Sequence, residues 1–233
     1  MTAESTRRPL VVFEGIDGSG KSTLSRAVRD ALALRDPWVH HQAFPSHEGE
    51  IGKLVRKAFT GEVKINLDAM GHLMVADCID FAPVIRKTVN EGITVLCDRY
   101  AAVSGWVYQT SEHAIDQVLA YQQRGVLIPM PDMTFILDIP EKVAEERRAQ
   151  RNQEANPLYE RDSQIDYYRT LRGRYLAYYY MHRTNTILLD ATEPLTQLVG
   201  IVLKVIDAVV TAMKNAGPDT QVAIKVEHME PIE

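Results

Sequence analysis

The chain has 233 residues, 45% of them hydrophobic and 24% charged, and a formal net charge of −5. That suits one α/β domain with a substantial core, and the acidic balance argues against bulk attraction to a polyanion such as nucleic acid. Cys78 and Cys97 are too far apart for a metal motif and read as reduced thiols; no run reads as long and apolar enough to span a membrane, and no signal segment opens the chain, so a cytoplasmic protein is expected.

Met1 to Pro9 is polar and reads as a frayed tail. Leu10 to Phe13 is a short, β-branched apolar run, the signature of a buried parallel strand. Gly15 to Ser22 then fits G-x-x-x-x-G-K-[ST], and Leu24, Ala27, Val28, Ala31 and Leu32 follow at helical spacing. Strand, glycine loop and helix in this order make a phosphate-binding loop. Backbone amides across Gly15, Ile16, Asp17, Gly18, Ser19 and Gly20 can wrap phosphate oxygens, because glycine lets the backbone curl without Cβ clashes. The helix dipole behind them favours an anion. Lys21 can reach the β- and γ-phosphates, Ser22 can offer its hydroxyl to Mg²⁺, and Thr23 completes the segment. The loop therefore predicts binding of a nucleoside triphosphate.

Trp38 to Phe44 reads as a second strand ending at Pro45, and Ser46 to Thr60 as a helix. Leu67 to Glu91 is a long helical pattern that Pro83 should kink or divide. Ile93 to Cys97 reads as a strand ending in Asp98-Arg99-Tyr100, and Ala114 to Arg124 as a helix. Met133 to Asp138 is the next strand, Glu141 to Arg151 a highly charged helix, and Asn152 to Pro157 a polar break. Asp162 to Arg183 is a tyrosine-rich helix, Thr186 to Asp190 the last strand, and Leu195 to Lys214 the last helix, whose apolar stripe reads as core. A polar tail follows from Ala216. Five strands alternating with helices predict a five-stranded parallel sheet flanked on both faces, in one domain over 10–215 with a small lid at about 147–162. Ligands on such sheets sit beyond the carboxyl ends of the strands, so Gly15 to Ser22, Phe44-Pro45, Asp98-Arg99-Tyr100 and Asp138 should ring one cleft.

A phosphate loop alone does not separate a motor, a switch GTPase and a small-molecule kinase. The base-reading Asn-Lys-x-Asp of a switch GTPase is missing. Asp98 at a strand end could orient a metal and its waters, and Arg99 beside it could bridge donor and acceptor phosphates. Arg147, Arg148 and Arg151 could share a helix face and close over the transferring phosphoryl group, or they could form a solvated face paired with Glu145 and Glu146.

Phe-Glu-Gly-Ile-Asp-Gly-Ser-Gly-Lys-Ser-Thr (13–23), Phe44-Pro45, Asp98-Arg99-Tyr100, Ser104, Tyr108-Gln109, Pro131-Asp132-x-Thr134 and Leu137-Asp138-x-Pro140-Glu141 together resemble the thymidylate kinases, over about Leu10 to Val210. The resemblance implies the P-loop kinase fold, phosphoryl transfer from MgATP to a deoxynucleoside monophosphate, and a homodimer paired through helices. It implies that Lys21 and the loop amides hold ATP, and that Asp17 sits near the acceptor sugar's 3′-hydroxyl. Arg99 would contact the acceptor phosphate, and Tyr108 would disfavour a 2′-hydroxyl. With no arginine in Asp17-Gly18-Ser19-Gly20 and several near 147–151, the chain resembles the bacterial-like type, whose catalytic arginines lie in the lid.

The departures fall mainly on the acceptor side. Where the family commonly has a base-stacking Phe and, four residues on, a base-binding Arg, this chain has Met74 and Cys78. Phe81 could replace the stack, and Asp77 or Asp80 could accept from an amino group. Ser46-His47 stands where an arginine often follows Phe-Pro. Tyr100 to Ser104 is one residue longer than usual, as is Pro140 to Arg147. A thymidylate-kinase-like enzyme with an altered or broadened base preference is expected. A P-loop kinase for another metabolite and a non-catalytic nucleotide-binding regulator are the competing readings.

Overall fold

The computed structural model describes residues 7–36, 38–107, 127–150 and 164–216. Five strands form one parallel sheet: β1 (Leu10–Glu14), β2 (Val39–Ala43), β3 (Thr94–Asp98), β4 (Met133–Asp138) and β5 (Thr186–Asp190), in the order β2-β3-β1-β4-β5. β1 is the centre, with Leu10 opposite Val95 of β3 and Val11 opposite Met133 of β4. Its side chains alternate between the two faces, as a pleated strand requires. Val11 and Phe13 enter a large core with Leu24, Phe135, Tyr175 and Val202, whereas Leu10 and Val12 enter another with Val75, Ile85 and Tyr100. All five residues of β1 are buried, which explains its unbroken apolar spelling up to Glu14.

The helices are α1 (Lys21–Ala33), α2 (Glu50–Phe59), α3 (Leu67–Asn90), α4 (Ala101–Val107), α5 (Glu141–Gln150), α6 (Gln164–Met181) and α7 (Leu195–Ala216). α2 starts later than the sequence suggests. Residues 45–49 instead form a turn, because the buried Asp77 carboxylate of α3 takes both the N–H (2.7 Å) and the hydroxyl (2.6 Å) of Ser46. α2 can approach this turn only because residue 52 is glycine, where a side chain would overlap the backbone of Ser46. Pro83 does not divide α3. It lies on the exposed side of the helix, so the carbonyl left without its N–H donor can reach water.

Arg7 to Pro9, part of the segment expected to fray, are held in place. Arg7 forks onto both oxygens of Asp132 at 3.0 Å, and the same carboxylate accepts the N–H of Leu10 at 2.8 Å. The chain is thereby tied to the start of β4 before β1 begins. The reading of every apolar run as too short for a membrane is also corrected: Leu195–Asn215 is long and apolar enough by length and composition. Within the fold, however, Leu198, Val202, Val205, Ile206 and Val209 of this helix belong to the core beside Val28 and Leu32 of α1.

Two glycines test this packing. Gly52→Ala is expected to cost about 1–3 kcal/mol through overpacking and to lower Tm by several degrees. At Gly200 in α7 an added Cβ meets nothing within 4 Å, so Gly200→Ala should raise Tm by about 1–4 °C through helix propensity. Thermal melts of both variants check the pair; a stable Gly52→Ala would show that α2 can move off Ser46.

Candidate active site

β1 delivers the chain to the phosphate loop at its carboxyl end. Gly15, Gly18 and Gly20 all have positive φ, at 146°, 92° and 93°. Gly18 also makes a close approach: a side chain there would run into the backbone of Ala144 in α5, so α5 lies directly against the loop. The N–H of Ser19 turns back to the carbonyl of Ile16 at 3.1 Å, and the N–H of Leu24 bonds to Gly20 at 2.9 Å as α1 begins. The Ser19 hydroxyl is buried without a partner among the described residues. Ser22 is half-buried and Thr23 exposed at the head of α1. Lys21 is buried, and its Nζ donates to Asp17 Oδ1 at 3.2 Å. Burial, and then Arg99, push its pKa below the usual lysine value against the pull of Asp17, Asp98 and Glu14.

β3 ends beside this loop. Asp98 is buried and its Oδ1 has no partner among the described residues. Arg99 follows with φ 68°, a left-handed conformation uncommon for a non-glycine residue. Its guanidinium reaches back over β1: Nη2 donates to Asp17 Oδ1, and Nη1 to the Tyr175 hydroxyl (3.1 Å) and the Gly15 carbonyl (3.4 Å). Asp17 therefore accepts from Lys21 and Arg99 on one oxygen. Burial on its own would raise the Asp17 pKa, but the two cations outweigh it and hold the carboxyl well below its usual range.

Behind Arg99 lies a residue that sequence reasoning did not single out. Glu14 is completely buried, with Oε2 3.7 Å from Arg99 Nη1. Its carboxylate accepts from the Tyr100 N–H (2.8 Å), the Ser104 hydroxyl and the Tyr175 hydroxyl (2.8 Å). Burial raises its pKa against Arg99 and these donors. Tyr175 was missed too, since nothing in α6 marks one tyrosine among many.

Phe44, Pro45, Met74, Cys78, Arg99 and Ser104 line one small cavity, with Tyr100 and Ala101 completing its wall. Phe44 is joined to Pro45 by a cis peptide bond, and its ring meets Phe81 edge-on at 5.9 Å. Of the two residues offered as acceptors from a base, Asp77 or Asp80, the first is corrected: both oxygens of Asp77 are engaged by Ser46, and they hold the turn. Asp80 and His47 are exposed. Cys78 Sγ accepts the N–H of Ala101 at 3.3 Å, and burial pushes its thiol pKa well up. Arg56 of α2 is a third missed residue, donating from Nε and Nη2 to the carbonyls of Ser46 and Pro45.

The arginines of α5 have different surroundings. Arg147 is removed from the catalytic candidates, because its Nη1 is pinned to the Ala191 carbonyl at 3.0 Å beyond β5. Arg148 is buried with its guanidinium 4.6 Å from the Tyr168 ring centroid, and its Nη1 lacks a partner among the described residues. Asp138 is taken by a two-pronged contact from Arg172, at 2.6 and 2.8 Å. Tyr108, Gln109, Arg151, the helix expected at 114–124 and most of the expected lid lie outside the described residues.

A phosphate loop, a strand-end Asp-Arg and a small, largely apolar cavity thus meet at the carboxyl ends of β1, β2 and β3. Compared with known proteins, residues 13–200 match the family model described as thymidylate kinase. A thymidylate kinase of Nitratidesulfovibrio vulgaris is 30% identical over 210 residues, covering 85% of this chain and 92% of that protein. One from Plasmodium falciparum is 28% identical over 205 residues (88% and 92%), and one from Caenorhabditis elegans 31% identical over 156 residues (63% and 70%). With the family model matching most of its length, the chain belongs to the thymidylate kinase family, a family of P-loop phosphotransferases.

Proposed function

We propose that the protein transfers the γ-phosphoryl group of MgATP to dTMP, giving dTDP and ADP. The observation that supports this reading is the meeting of Lys21 of the phosphate loop and Arg99 of the β3 end on one oxygen of Asp17, which brings the two cations that would serve donor and acceptor phosphates beside each other. The loop amides and the Ser19 hydroxyl, which has no partner among the described residues, suit the triphosphate, and Lys21 its β- and γ-oxygens. The residues present also fit Mg²⁺: Asp98 offers a buried carboxylate oxygen without a partner among the described residues and Ser22 a hydroxyl, the hard oxygen donors that ion prefers. When bound there, Mg²⁺ neutralises charge on the β- and γ-phosphates.

Arg99 grips the acceptor phosphate, and Arg56 adds charge at the Pro45–Ser46 end of the cleft. Asp17, once its cations turn to phosphates, can accept from the 3′-hydroxyl of the acceptor sugar, while Tyr108 excludes a 2′-hydroxyl. Arg148 supports the transferring phosphoryl group: it is one helical turn beyond Ala144, which touches the phosphate loop. Arg151 shares that role. Met74 and Cys78 give the base an apolar seat, with Cys78 Sγ already engaged by Ala101. The same reading includes a cytoplasmic homodimer paired through the outer side of α3, where Val84 is 50% exposed.

Incubation with MgATP and dTMP should release ADP and dTDP; no product would overturn the reading. With dUMP, dCMP and dGMP alongside, dTMP should be preferred, and dUMP should follow within about 10–200-fold, the range one carbon group spans in a hydrophobic pocket. Lys21→Ala should lower kcat by about 100-fold or more while Tm stays near that of the parent. Normal activity in that variant would remove the loop from the mechanism. Arg151→Ala should depress kcat more than the KM for dTMP, as a contact made chiefly in the transition state does. Arg147→Ala should lower Tm and spare kcat; a selective loss of kcat would return Arg147 to the catalytic set.

A further inference from the structure

The reaction as described gives no task to the Tyr175 hydroxyl, yet that oxygen joins the two buried charges behind the phosphate loop. It donates to Glu14 Oε2 at 2.8 Å and accepts from Arg99 Nη1 at 3.1 Å. We propose that Tyr175 is a positioning residue for Arg99, acting with Glu14 to set where the guanidinium stands and how it grips the acceptor phosphate. The proposal rests on the reading of Arg99 as the acceptor-phosphate cation.

The acceptors around Arg99 are unequal. Asp17 shares one oxygen between Arg99 and Lys21, on a side chain that is 47% exposed, so arriving phosphates can take its place. The Gly15 carbonyl is 3.4 Å away, a long contact. Tyr175 and Glu14 are different, being buried to 2% and 0% relative exposure, with no route for a phosphate to displace them.

Their geometry is fixed from several sides. Glu14 Oε1 holds the Tyr100 N–H and the Ser104 hydroxyl, which stops the carboxylate from turning and leaves Oε2 for Tyr175 and Arg99. The Tyr175 ring is packed in the larger core, and a ring held in place fixes its hydroxyl. The backbone of Arg99 is set as well, with its N–H on the Phe13 carbonyl at 2.9 Å. A long, flexible arginine side chain thus has both ends anchored, which is how supporting residues preorganise a group that touches substrate.

Tyr175→Phe keeps the ring and deletes only the oxygen. In steady-state assays it should lower kcat/KM for dTMP about tenfold or more, chiefly through KM, and leave the KM for ATP within about twofold. Circular-dichroism melts establish that the variant is folded. In an Arg99→Lys background the same change should cost less than about threefold, since a residue acting through Arg99 has little left to position. Equal losses toward both substrates, additive effects in the double variant, or an unchanged kcat/KM would each overturn the proposal. Should Tyr175→Phe not be recovered folded, Glu14→Gln is judged by the same acceptor-selective loss. If Arg99→Lys itself leaves the KM for dTMP unchanged, Arg99 leaves the acceptor site and this proposal falls with it. A necessary Arg99 with a silent Tyr175→Phe overturns the positioning alone.

Discussion

Burying an ionised carboxylate is tolerable only if other groups replace the water it loses, and Glu14 has no water contact at all. Its replacements are a backbone N–H from Tyr100, hydroxyls from Ser104 and Tyr175, and the nearby charge of Arg99. These come from the turn after β3, from α4 and from α6. One carboxylate at the end of the central strand therefore holds three other parts of the chain in register with the phosphate loop, which begins at the next residue. The unusual φ of Arg99 is part of the same arrangement, since it turns the side chain back toward β1. In an apolar core this polar cluster has few alternative pairings, and that gives the site a single geometry.

A second constraint is the contact between Gly18 and Ala144. It brings a helix with two arginines in its last turn against the phosphate loop, and it leaves no room for a side chain at position 18. Position 18 therefore cannot add a cation to Lys21 within the loop, and the arginines of α5 are the positive charges that this contact brings near. Arg148 has the surroundings to serve the transferring group, with its stem buried, its guanidinium on Tyr168 and one nitrogen unpartnered among the described residues. The neighbouring Arg147 points elsewhere and fastens α5 to the end of β5. Adjacent residues on a helix face different ways, so two arginines side by side have different work.

The sheet was legible because each strand is a short, buried run that ends in a recognisable turn, as Leu10–Glu14 does before Gly15. The phosphate loop and Asp98-Arg99 were legible for the same reason: topology places everything at the strand ends in one cleft. What could not be read depends on partners distant in sequence. Ser46 looks like a helix start until Asp77, 31 residues on, claims its N–H and hydroxyl. Tyr175 is one of several tyrosines in α6, and its partner Glu14 is 161 residues away. Arg56 binds backbone carbonyls, which carry no signature in the sequence. Arg147 and Arg148 share a spelling and differ only in what the fold puts beside them.

Asp17 has a consequence for how affinities in this site arise. One of its two oxygens sits between Lys21 and Arg99, so the pocket carries its own internal counter-ion. A phosphate entering there would not meet bare positive charge; it would compete with a tethered carboxylate. Lys21 and Arg99 would then exchange one anionic partner for another, and affinity would reflect the difference between the two partners. The carboxylate itself would stay attached to the loop, at hand for whatever takes its place.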